Sequence, residues 1–418
     1  MTETKYSGIA SIGEIPAHWR TYRIKSLLSL RSEKNSGDHD LLSVYLDRGV
    51  ISYNDSDGMQ VHKPSADLSN YQNVNVGDFV LNNQQAWRGS VGVSKYDGII
   101  SPAYFVFSLS DKCDPGYMNF LLRDGSMVQQ YETASRGVGT IQRNLYALWF
   151  YESLVALPPK DEQKTIAAFL SAKCAEIDAL PADIQTQINT LEQYKRSVIT
   201  ETVTKGLNPN SEMKDSGVFY MAPMNATWRL TKIGYICSKL SRSFAPEDTA
   251  LICSNKGKVQ VRADDLTGIM VSDDNAMQGI RSGDIAIHGM DTWHGAIALS
   301  EYDGKITRVV HVCDSTEDKR FVVYYMQHLA FQGVYKLISN GVRGNTSDFR
   351  SWDKVRDIWI AIPETKEEQA AICDYLDSQC TAVEEVIATK KEQLEVLGEY
   401  KKSLIFEYVT GKKEVPVS

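Results

Sequence analysis

Two stretches of the chain repeat apolar residues at alternating spacings of three and four, the pattern of helices that pack along a common seam. The two seams correspond position by position at an offset of 206 residues. The seam positions are Leu170, Cys174, Ile177, Pro181, Ile184, Ile188, Leu191, Lys195, Val198 and Thr202 in the first stretch, and Leu376, Cys380, Val383, Ile387, Lys390, Leu394, Leu397, Lys401, Leu404 and Tyr408 in the second. The pattern predicts two coiled-coil helices, the first broken or kinked at Pro181, because proline lacks the backbone donor. Lys195 and Lys401 occupy equivalent seam positions. They are interpreted either as residues that set the helix register or the choice of partner, or as side chains whose apolar stems pack at the edge of the seam while their charged ends reach solvent.

Shorter apolar runs separated by Gly, Asp and Pro precede each helical stretch and repeat at the same offset. Residues 76–80 (VGDFV) match 282–286 (SGDIA), 87–89 (WRG) match 293–295 (WHG), and 94–98 (SKYDG) match 300–304 (SEYDG). An opening block, 7–24, matches 216–233 at an offset of 209, and the Glu-Gln pair at 162–163 matches that at 368–369. The runs are typical of short strands and turns. Each half is therefore predicted to contain a mixed α/β region followed by a long helix.

The predicted fold class is α/β (α+β) with coiled coil, built as an internal pseudo-two-fold repeat of about 206 residues. The expected segments are an α/β region at 1–157, a helical spacer at 158–206, a second α/β region at 207–362, a second spacer at 363–412 and a tail at 413–418. The two long helices are expected to pack antiparallel and to separate the α/β regions. A helix over 170–203 would be roughly 50 Å long, on the order of 15 base pairs of duplex.

Charge is distributed unevenly along the chain. The net charge of −8 lies mainly in 361–418, which carries 7 Lys+Arg and 12 Asp+Glu, whereas 1–150 carries 14 and 15 and 211–360 carries 18 and 18. The α/β regions are thus near neutral, and strong binding to phosphates would need a partner. The seven cysteines form no CxxC pair and indicate reduced, mostly buried thiols in a cytoplasmic protein. No signal-peptide core or apolar run long enough to span a membrane is expected.

The chain resembles a known family, the specificity subunits of type I restriction-modification systems. The resemblance rests on 11–19 (SIGEIPAHW), 157–170 (LPPKDEQKTIAAFL), 195–206 (KRSVITETVTKG) and their second copies at 362–376 (IPETKEEQAAICDYL) and 401–411 (KKSLIFEYVTG). It implies two target-recognition domains, each reading one half of a bipartite double-stranded DNA site, and helices that dock two methyltransferase subunits. It also implies endonuclease/translocase partners, and S-adenosylmethionine, ATP and Mg used by the partners, with no cofactor bound by this chain.

The sequence lacks the motifs of a self-sufficient enzyme. No Asn/Asp-Pro-Pro-aromatic methyltransferase motif, no phosphate loop and no HExxH zinc motif occurs. We therefore expect a non-catalytic subunit of a phage-defence complex, without catalytic or metal-binding residues. Two alternatives fit the same sequence: a DNA-binding adaptor of a modification-only or other phage-defence complex, and a coiled-coil scaffold that binds only protein. The DNA target itself does not follow from the sequence, because loops that read bases have no residue-to-base code.

Polar residues typical of base recognition concentrate in two loops of each repeat. The first loop follows the Gly-Asp strand and the second is the Gly-rich segment before the last strand; glycines there allow a close approach to phosphate. The candidate DNA-binding residues are Asn83, Gln84, Gln85, Arg88, Arg136, Thr140, Gln142 and Arg143 in the first half, and Asp291, His294, Arg343, Asn345 and Thr346 in the second. Trp87 and Trp293 are interpreted as core residues beside these readers. The candidate helix seam and partner residues are Leu170, Ile184, Ile188, Leu191, Leu376, Ile387, Leu394, Leu397 and Leu404. The basic pairs at 195–196 and 401–402 are expected to contact spacer phosphates, a partner, or solvent alone.

Overall fold

The computed structural model describes residues 3–56, 64–65, 67–138, 142–262, 274–339 and 349–416. The chain divides into two compact units. Unit 1 contains Met1–Ile184 and Lys391–Ser418, and unit 2 contains Gln185–Lys390. Each unit therefore combines one α/β region with part of each long helix.

The first repeat supplies fourteen described strands and four described helices. The strands are Thr4–Tyr6 (β1), Glu14–Pro16 (β2), Arg20–Arg23 (β3), Leu28–Arg31 (β4), Leu42–Tyr45 (β5), Gly49–Ser52 (β6), Gln72–Val74 (β7), Phe79–Asn82 (β8), Val91–Val93 (β9), Gly98–Ile100 (β10), Tyr104–Leu109 (β11), Ser135–Val138 (β12), Gln142–Leu145 (β13) and Leu154–Leu157 (β14). The helices are Pro115–Arg123 (α1), Gly125–Thr133 (α2), Ala147–Phe150 (α3) and Lys160–Lys205 (α4).

The second repeat follows the same order. Its described strands are Met213–Lys214 (β15), Met224–Asn225 (β16), Arg229–Lys232 (β17), Cys237–Lys239 (β18), Leu251–Ser254 (β19), Lys258–Val261 (β20), Met277–Ile280 (β21), Ile285–His288 (β22), Ile297–Leu299 (β23), Gly304–Thr307 (β24), Val310–Ser315 (β25) and Trp359–Ile362 (β26). Its helices are Ile233–Ile236 (α5), Lys319–Phe331 (α6), Val334–Ile338 (α7), Trp352–Arg356 (α8) and Lys366–Val409 (α9).

Both units contain the same four-stranded antiparallel sheet. Its strand order is β4-β11-β8-β9 in unit 1 and β18-β25-β22-β23 in unit 2. The two-stranded pairs correspond as well: β1–β2 with β15–β16, β3–β14 with β17–β26, β5–β6 with β19–β20, and β7–β10 with β21–β24. The β12–β13 hairpin has its sequence counterpart largely outside the described residues. The predicted internal repeat and mixed fold class are confirmed.

The repeated Gly-Asp sequence forms the turn before the second strand of this sheet. Gly77 and Gly283 have φ of +92° and +83°, a backbone conformation that side chains with a Cβ rarely adopt. The buried carboxylate of Asp78 accepts hydrogen bonds from the backbone N–H of Asn75 (2.8 Å) and from Nη1 of Arg31 (2.6 Å). Asp284 occupies the same place and accepts from Arg242 Nε (2.7 Å). The motif therefore repeats because the turn needs both residues.

The repeated Glu-Gln pair joins each long helix to its α/β region. Glu162 accepts a hydrogen bond from the indole N–H of Trp19 (2.9 Å), and Glu368 accepts one from Trp228 (2.9 Å). The buried amide of Gln163 accepts from the N–H of Asp114 (2.8 Å) and donates to the carbonyls of Lys112 and Pro158 (both 3.0 Å). This amide thus pairs with three backbone groups, those of Lys112 and Asp114 just before α1 and that of Pro158 just before α4. Without it, these polar groups would be buried without a hydrogen-bond partner.

Parts of both long helices complete the core of each unit. In unit 1, Leu170 of α4 and Val409 of α9 are fully buried in the cluster that contains Trp19. In unit 2, Val203 of α4 and Leu376 of α9 are fully buried in the corresponding cluster. Burial of apolar surface from two distant chain segments is thus the main force that holds each helix pair on its α/β region.

Within unit 1 the two helix segments run antiparallel, as predicted. The ring centroids of Phe169 and Tyr408 lie 4.7 Å apart, and further along α4 Asp178 forms an ion pair with Lys401 (2.6 Å). The partner residue number falls in α9 as the residue number rises in α4, which shows the antiparallel direction. Of the two outcomes predicted at Pro181, the break is wrong, because α4 is continuous from Lys160 to Lys205, and the kink stays a prediction. Proline removes one backbone hydrogen bond, and the seam contacts on its N-terminal side, including buried Ile177, hold the helix together.

All seven cysteines are buried free thiols. In the part of the chain that the structure describes, no helix is both long and apolar enough to cross a membrane.

Candidate nucleic-acid interface

The first candidate loop forms a short 3-10 turn, Ala86–Arg88, directly after β8. Gly89 ends the turn at φ +97°, and a Cβ there would approach Val128 to 3.3 Å. The indole N–H of Trp87 donates to the carbonyl of Gln84 (3.0 Å), which closes the loop on itself. Gln84 and Arg88 are left exposed, whereas Gln85 is half-buried at the start of the turn.

The β12–β13 hairpin lies against this turn. The backbone N–H of Leu145 donates to the side-chain oxygen of Asn83 (2.9 Å), so this predicted DNA reader holds the hairpin in place. Gly137 pairs with Arg143 and Arg136 pairs with Asn144, which places the two arginines on opposite faces of the hairpin.

Each face of the hairpin carries one arginine stacked on a tryptophan. The guanidinium of Arg143 lies 4.8 Å from the ring centroid of Trp87, and that of Arg136 lies 4.2 Å from that of Trp149. Arg88 also lies over Trp87, at 5.8 Å. Stacking fixes the guanidinium plane and leaves its edge available for hydrogen bonds.

The three arginines differ in how many of their donors are already engaged. Arg143 donates to Glu132 (2.8 Å). The side chains of Arg88 and Arg136 are exposed and have no hydrogen bond or ion pair to any residue that the structure describes. Arg88 and Arg136 are therefore the arginines best placed to bind a phosphate or a guanine edge.

In the second repeat, the first candidate loop forms the same turn with other side chains. It spans Thr292–His294 after β22, and Gly295 ends it at φ +82°. Burial lowers the pKa of His288, and its Nδ1 accepts the backbone N–H of Asp291 (3.1 Å). The Asp291 carboxylate is partly exposed beside this ring, and His294 is exposed. A guanidinium in the first repeat is thus replaced by an imidazole in the second.

The prediction that Trp87 is a core residue is wrong, because its side chain is only half-buried and belongs to no described core cluster, whereas Trp293 is half-buried and packs against the core of unit 2. The residue before each tryptophan fills the core position instead: Ala86 is 0% exposed and Thr292 is 1% exposed. The Trp87 ring lies beside two of the candidate readers, Arg88 and Arg143.

Some predicted site residues lie outside the described residues, and their roles stay predictions. They are Thr140, Arg343, Asn345 and Thr346, while Gln142 is described only as backbone of β13.

Sequence reasoning missed an exposed aromatic group beside the first site. Trp149 is 40% exposed, Tyr146 is 50% exposed and their rings lie 5.0 Å apart, with Leu148 at 79% exposure between them in sequence. In the sequence these residues form an apolar run before β14, which is typical of a core segment. The only available signal was that this run follows directly on the candidate hairpin.

The candidate seam residues lie on the inward side of both helices. Leu170, Ile188, Leu376, Ile387 and Leu404 are buried, and Ile184, Leu191, Leu394 and Leu397 are half-buried. The seam lysines form ion pairs across the helices: Lys195 with Glu384 (2.9 Å) in unit 2 and Lys401 with Asp178 (2.6 Å) in unit 1. Such pairs at equivalent positions favour the interpretation as register devices.

Among the residues that the structure describes, no group of three or more His, Cys, Asp or Glu side chains is arranged to hold a metal ion.

Comparison with known proteins gave similarity over nearly the whole chain. No protein-family model matches. The putative type I restriction enzyme MjaX specificity subunit of Methanocaldococcus jannaschii is 22% identical over 439 aligned positions, which cover 97% of this chain and 96% of that protein. A chain from the structure of a type I R-M system, solved to explain complex assembly and conformational transition, superposes with a TM-score of 0.71 at 17% identity, covering 96% of this chain and 99% of the other. The HsdS subunit of Thermoanaerobacter tengcongensis superposes with a TM-score of 0.53 at 17% identity, covering 96% and 98%.

The two structural similarities concern the fold, and the M. jannaschii protein adds similarity in sequence from end to end. The chain is thus similar in sequence from end to end to a putative type I restriction enzyme specificity subunit, and it shares its fold with an HsdS subunit and with a chain of a type I R-M system.

Proposed function

We propose that this chain reads DNA sequence for a type I restriction-modification complex, with 1–157 and 207–362 as target-recognition domains that each read one half of a bipartite site. One observation carries the proposal: the same strand–turn scaffold is built twice, and the side chains that it presents differ. Arg88 stands where the second repeat has His294, and both are exposed. Different donors and acceptors at equivalent places select different bases, so the two half-sites should differ.

The helical spacers at 158–206 and 363–412 are proposed to set the distance between the half-sites and to dock two methyltransferase subunits. Endonuclease/translocase subunits would complete the restriction complex. S-adenosylmethionine, ATP and Mg would be used by these partners, while this chain binds no cofactor, catalyses no step and works in the cytoplasm. Because its α/β regions are near neutral, the isolated chain should bind DNA weakly and gain affinity from the methyltransferase.

An adaptor of a modification-only complex would share this DNA-reading role and differ only in its partners. A scaffold that binds only protein is disfavoured, because the full-length relative is named as a specificity subunit.

The test is methylation-site sequencing of a host that carries the complete system with single variants of this chain. Arg88→Ala or Arg136→Ala should alter only one half-site, and His294→Ala only the other. Loss of an arginine–guanine contact should weaken discrimination at one position by about 5- to 150-fold, whereas loss of a phosphate contact should reduce methylation at all sites alike.

Lys95→Ala is the matched control, since Lys95 is an exposed cation of unit 1 that lies between β9 and β10 and belongs to neither candidate loop. Its methylation pattern should equal that of the parent. The assignment of these loops fails if Arg88→Ala and His294→Ala alter the same half-site, or if none of the three variants changes methylation.

A further inference from the structure

Unit 2 contains an aromatic groove that the proposed function uses only at its edge, through His294. Its volume is about 550 Å³, and Trp293, Phe331, Tyr335, His294 and Lys336 are among the side chains that line it. The groove therefore has the size and the mixed aromatic and polar lining of a small-molecule site.

Two side chains with nitrogen donors, Lys336 and His294, line this groove, and a third, Arg196, lies over one of its rings. Lys336 Nζ lies 5.8 Å from the ring centroid of Trp293, and the Arg196 guanidinium lies 5.3 Å from that of Phe331. His294 is exposed at the same place. The side chains of all three lack a hydrogen bond or ion pair to any described residue, whereas Arg320 on the neighbouring helix α6 contacts three aspartates. The groove thus combines aromatic walls with unneutralised positive charge.

Trp293 itself has an unsatisfied polar atom. Its indole nitrogen is buried and has no hydrogen-bond partner. Leaving such a donor unpaired costs free energy, and exceptions of this kind call for a functional explanation. In unit 1 the equivalent donor, Trp87 Nε1, binds the carbonyl of Gln84, and two arginines lie over the ring. The Trp87 ring therefore carries two guanidinium groups and a satisfied N–H, whereas the Trp293 ring carries one lysine ammonium and an unsatisfied N–H.

We propose that this groove binds a nucleotide, with the base against Trp293 and Phe331 and the phosphate among Lys336, Arg196 and His294. A planar aromatic ring that carries an anion is complementary to both features, because bases stack on aromatic side chains and phosphate pairs with Arg and Lys. An inorganic anion would leave the aromatic walls uncovered, and an alkyl chain would leave the cations unpaired. The nucleotide is either free or an unstacked unit of bound DNA.

The free-nucleotide arm of the test uses the purified full-length chain and AMP as the probe, followed by calorimetry. AMP should bind with a dissociation constant below about 1 mM. Trp293→Ala and Lys336→Ala should each weaken binding by about tenfold. Tyr235→Ala is the control, because Tyr235 is an exposed aromatic residue (77%) of the same unit that does not line the groove, and it should leave binding unchanged. Trp293→Phe keeps an aromatic wall and guards against a simple loss of folding.

The DNA arm uses the complex with its methyltransferase subunits and a target duplex with 2-aminopurine at successive positions of the second half-site. An unstacked base at one position should raise the fluorescence, and Trp293→Phe should reduce that rise, with Tyr235→Ala as the control. A positive result in either arm supports the proposal and identifies the source of the nucleotide.

The proposal is overturned if AMP at about 5 mM gives no heat and no 2-aminopurine position responds, or if Trp293 and Lys336 variants leave both signals unchanged. Only the DNA arm rests on the proposed function. Intact half-site methylation together with failure of both arms would reject the groove alone, and AMP binding without sequence-specific methylation would reject the proposed function alone.

Discussion

The Gln163 amide offers the sharpest test of how the long helices are held on the α/β regions. It is 1% exposed and makes three hydrogen bonds, one accepted from Asp114 and two donated to the carbonyls of Lys112 and Pro158. Leucine has a similar volume and no polar atoms, so Gln163→Leu removes the bonds without opening a large cavity. Each bond contributes about 1 kcal/mol net, and each backbone group would then be buried without a partner, so the free energy of unfolding should fall by about 3 kcal/mol.

The measurement is urea denaturation followed by far-ultraviolet circular dichroism, with the transition of unit 1 fitted separately if two transitions appear. Gln129→Leu is the matched control, because Gln129 is an exposed glutamine of α2 in unit 1 and its loss should change the free energy by less than about 0.5 kcal/mol. A loss below about 1 kcal/mol for Gln163→Leu would refute the argument that this amide anchors α4.

Two further outcomes follow from buried or strained positions. Burial lowers the pKa of His328 to about 4, so the folded chain favours the neutral imidazole. The free energy of unfolding should be constant above the ordinary histidine pKa of about 6.5 and should fall by up to about 3 kcal/mol as the pH drops from there to about 4. In pH-dependent denaturation, His328→Gln should flatten this profile. Gly398 lies inside α9 with open space where a Cβ would stand, so Gly398→Ala should raise the free energy of unfolding by about 0.5–1 kcal/mol. Gly411 has a φ of +70° and lies against the Pro16 ring, so Gly411→Ala should lower the free energy of unfolding by about 1–3 kcal/mol. Shifts of the melting temperature in the same direction for both variants would contradict this.

The sequence predicted the architecture well because duplication reveals which residues the fold needs. The Gly-Asp turn and the Glu-Gln pair repeat because each makes fixed backbone contacts in both units. The heptad spacing likewise predicted both helices and their inward faces. Pro181 does not interrupt α4, because tertiary packing along this helix of 46 residues offsets the missing backbone hydrogen bond.

The candidate site was harder to predict because exposure depends on tertiary neighbours. A retained tryptophan flanked by changing polar residues is typical of a core position, yet Ala86 fills that position and Trp87 supports two arginines. Local sequence likewise did not indicate that Asn83 would bind the hairpin backbone. The register of the β12–β13 hairpin decides that Arg143 pairs with Glu132 and that the Arg136 side chain has no ion pair to a described residue. The sequence around the Gly-rich segment does not determine this register.

The division of the chain into units has a consequence for its synthesis. Unit 2 is one continuous segment of 206 residues, whereas unit 1 needs Lys391–Ser418 to complete its core. The hydroxyl of Tyr117 donates a hydrogen bond to the carbonyl of Val409. Val409 leaves the ribosome only after all of unit 2 has been made. At about 5–20 residues per second, the N-terminal segment waits roughly 10 to 40 s with apolar surface uncovered. The part of unit 1 that is translated before unit 2 therefore becomes native after it, and during that interval it exposes apolar surface that chaperones would protect.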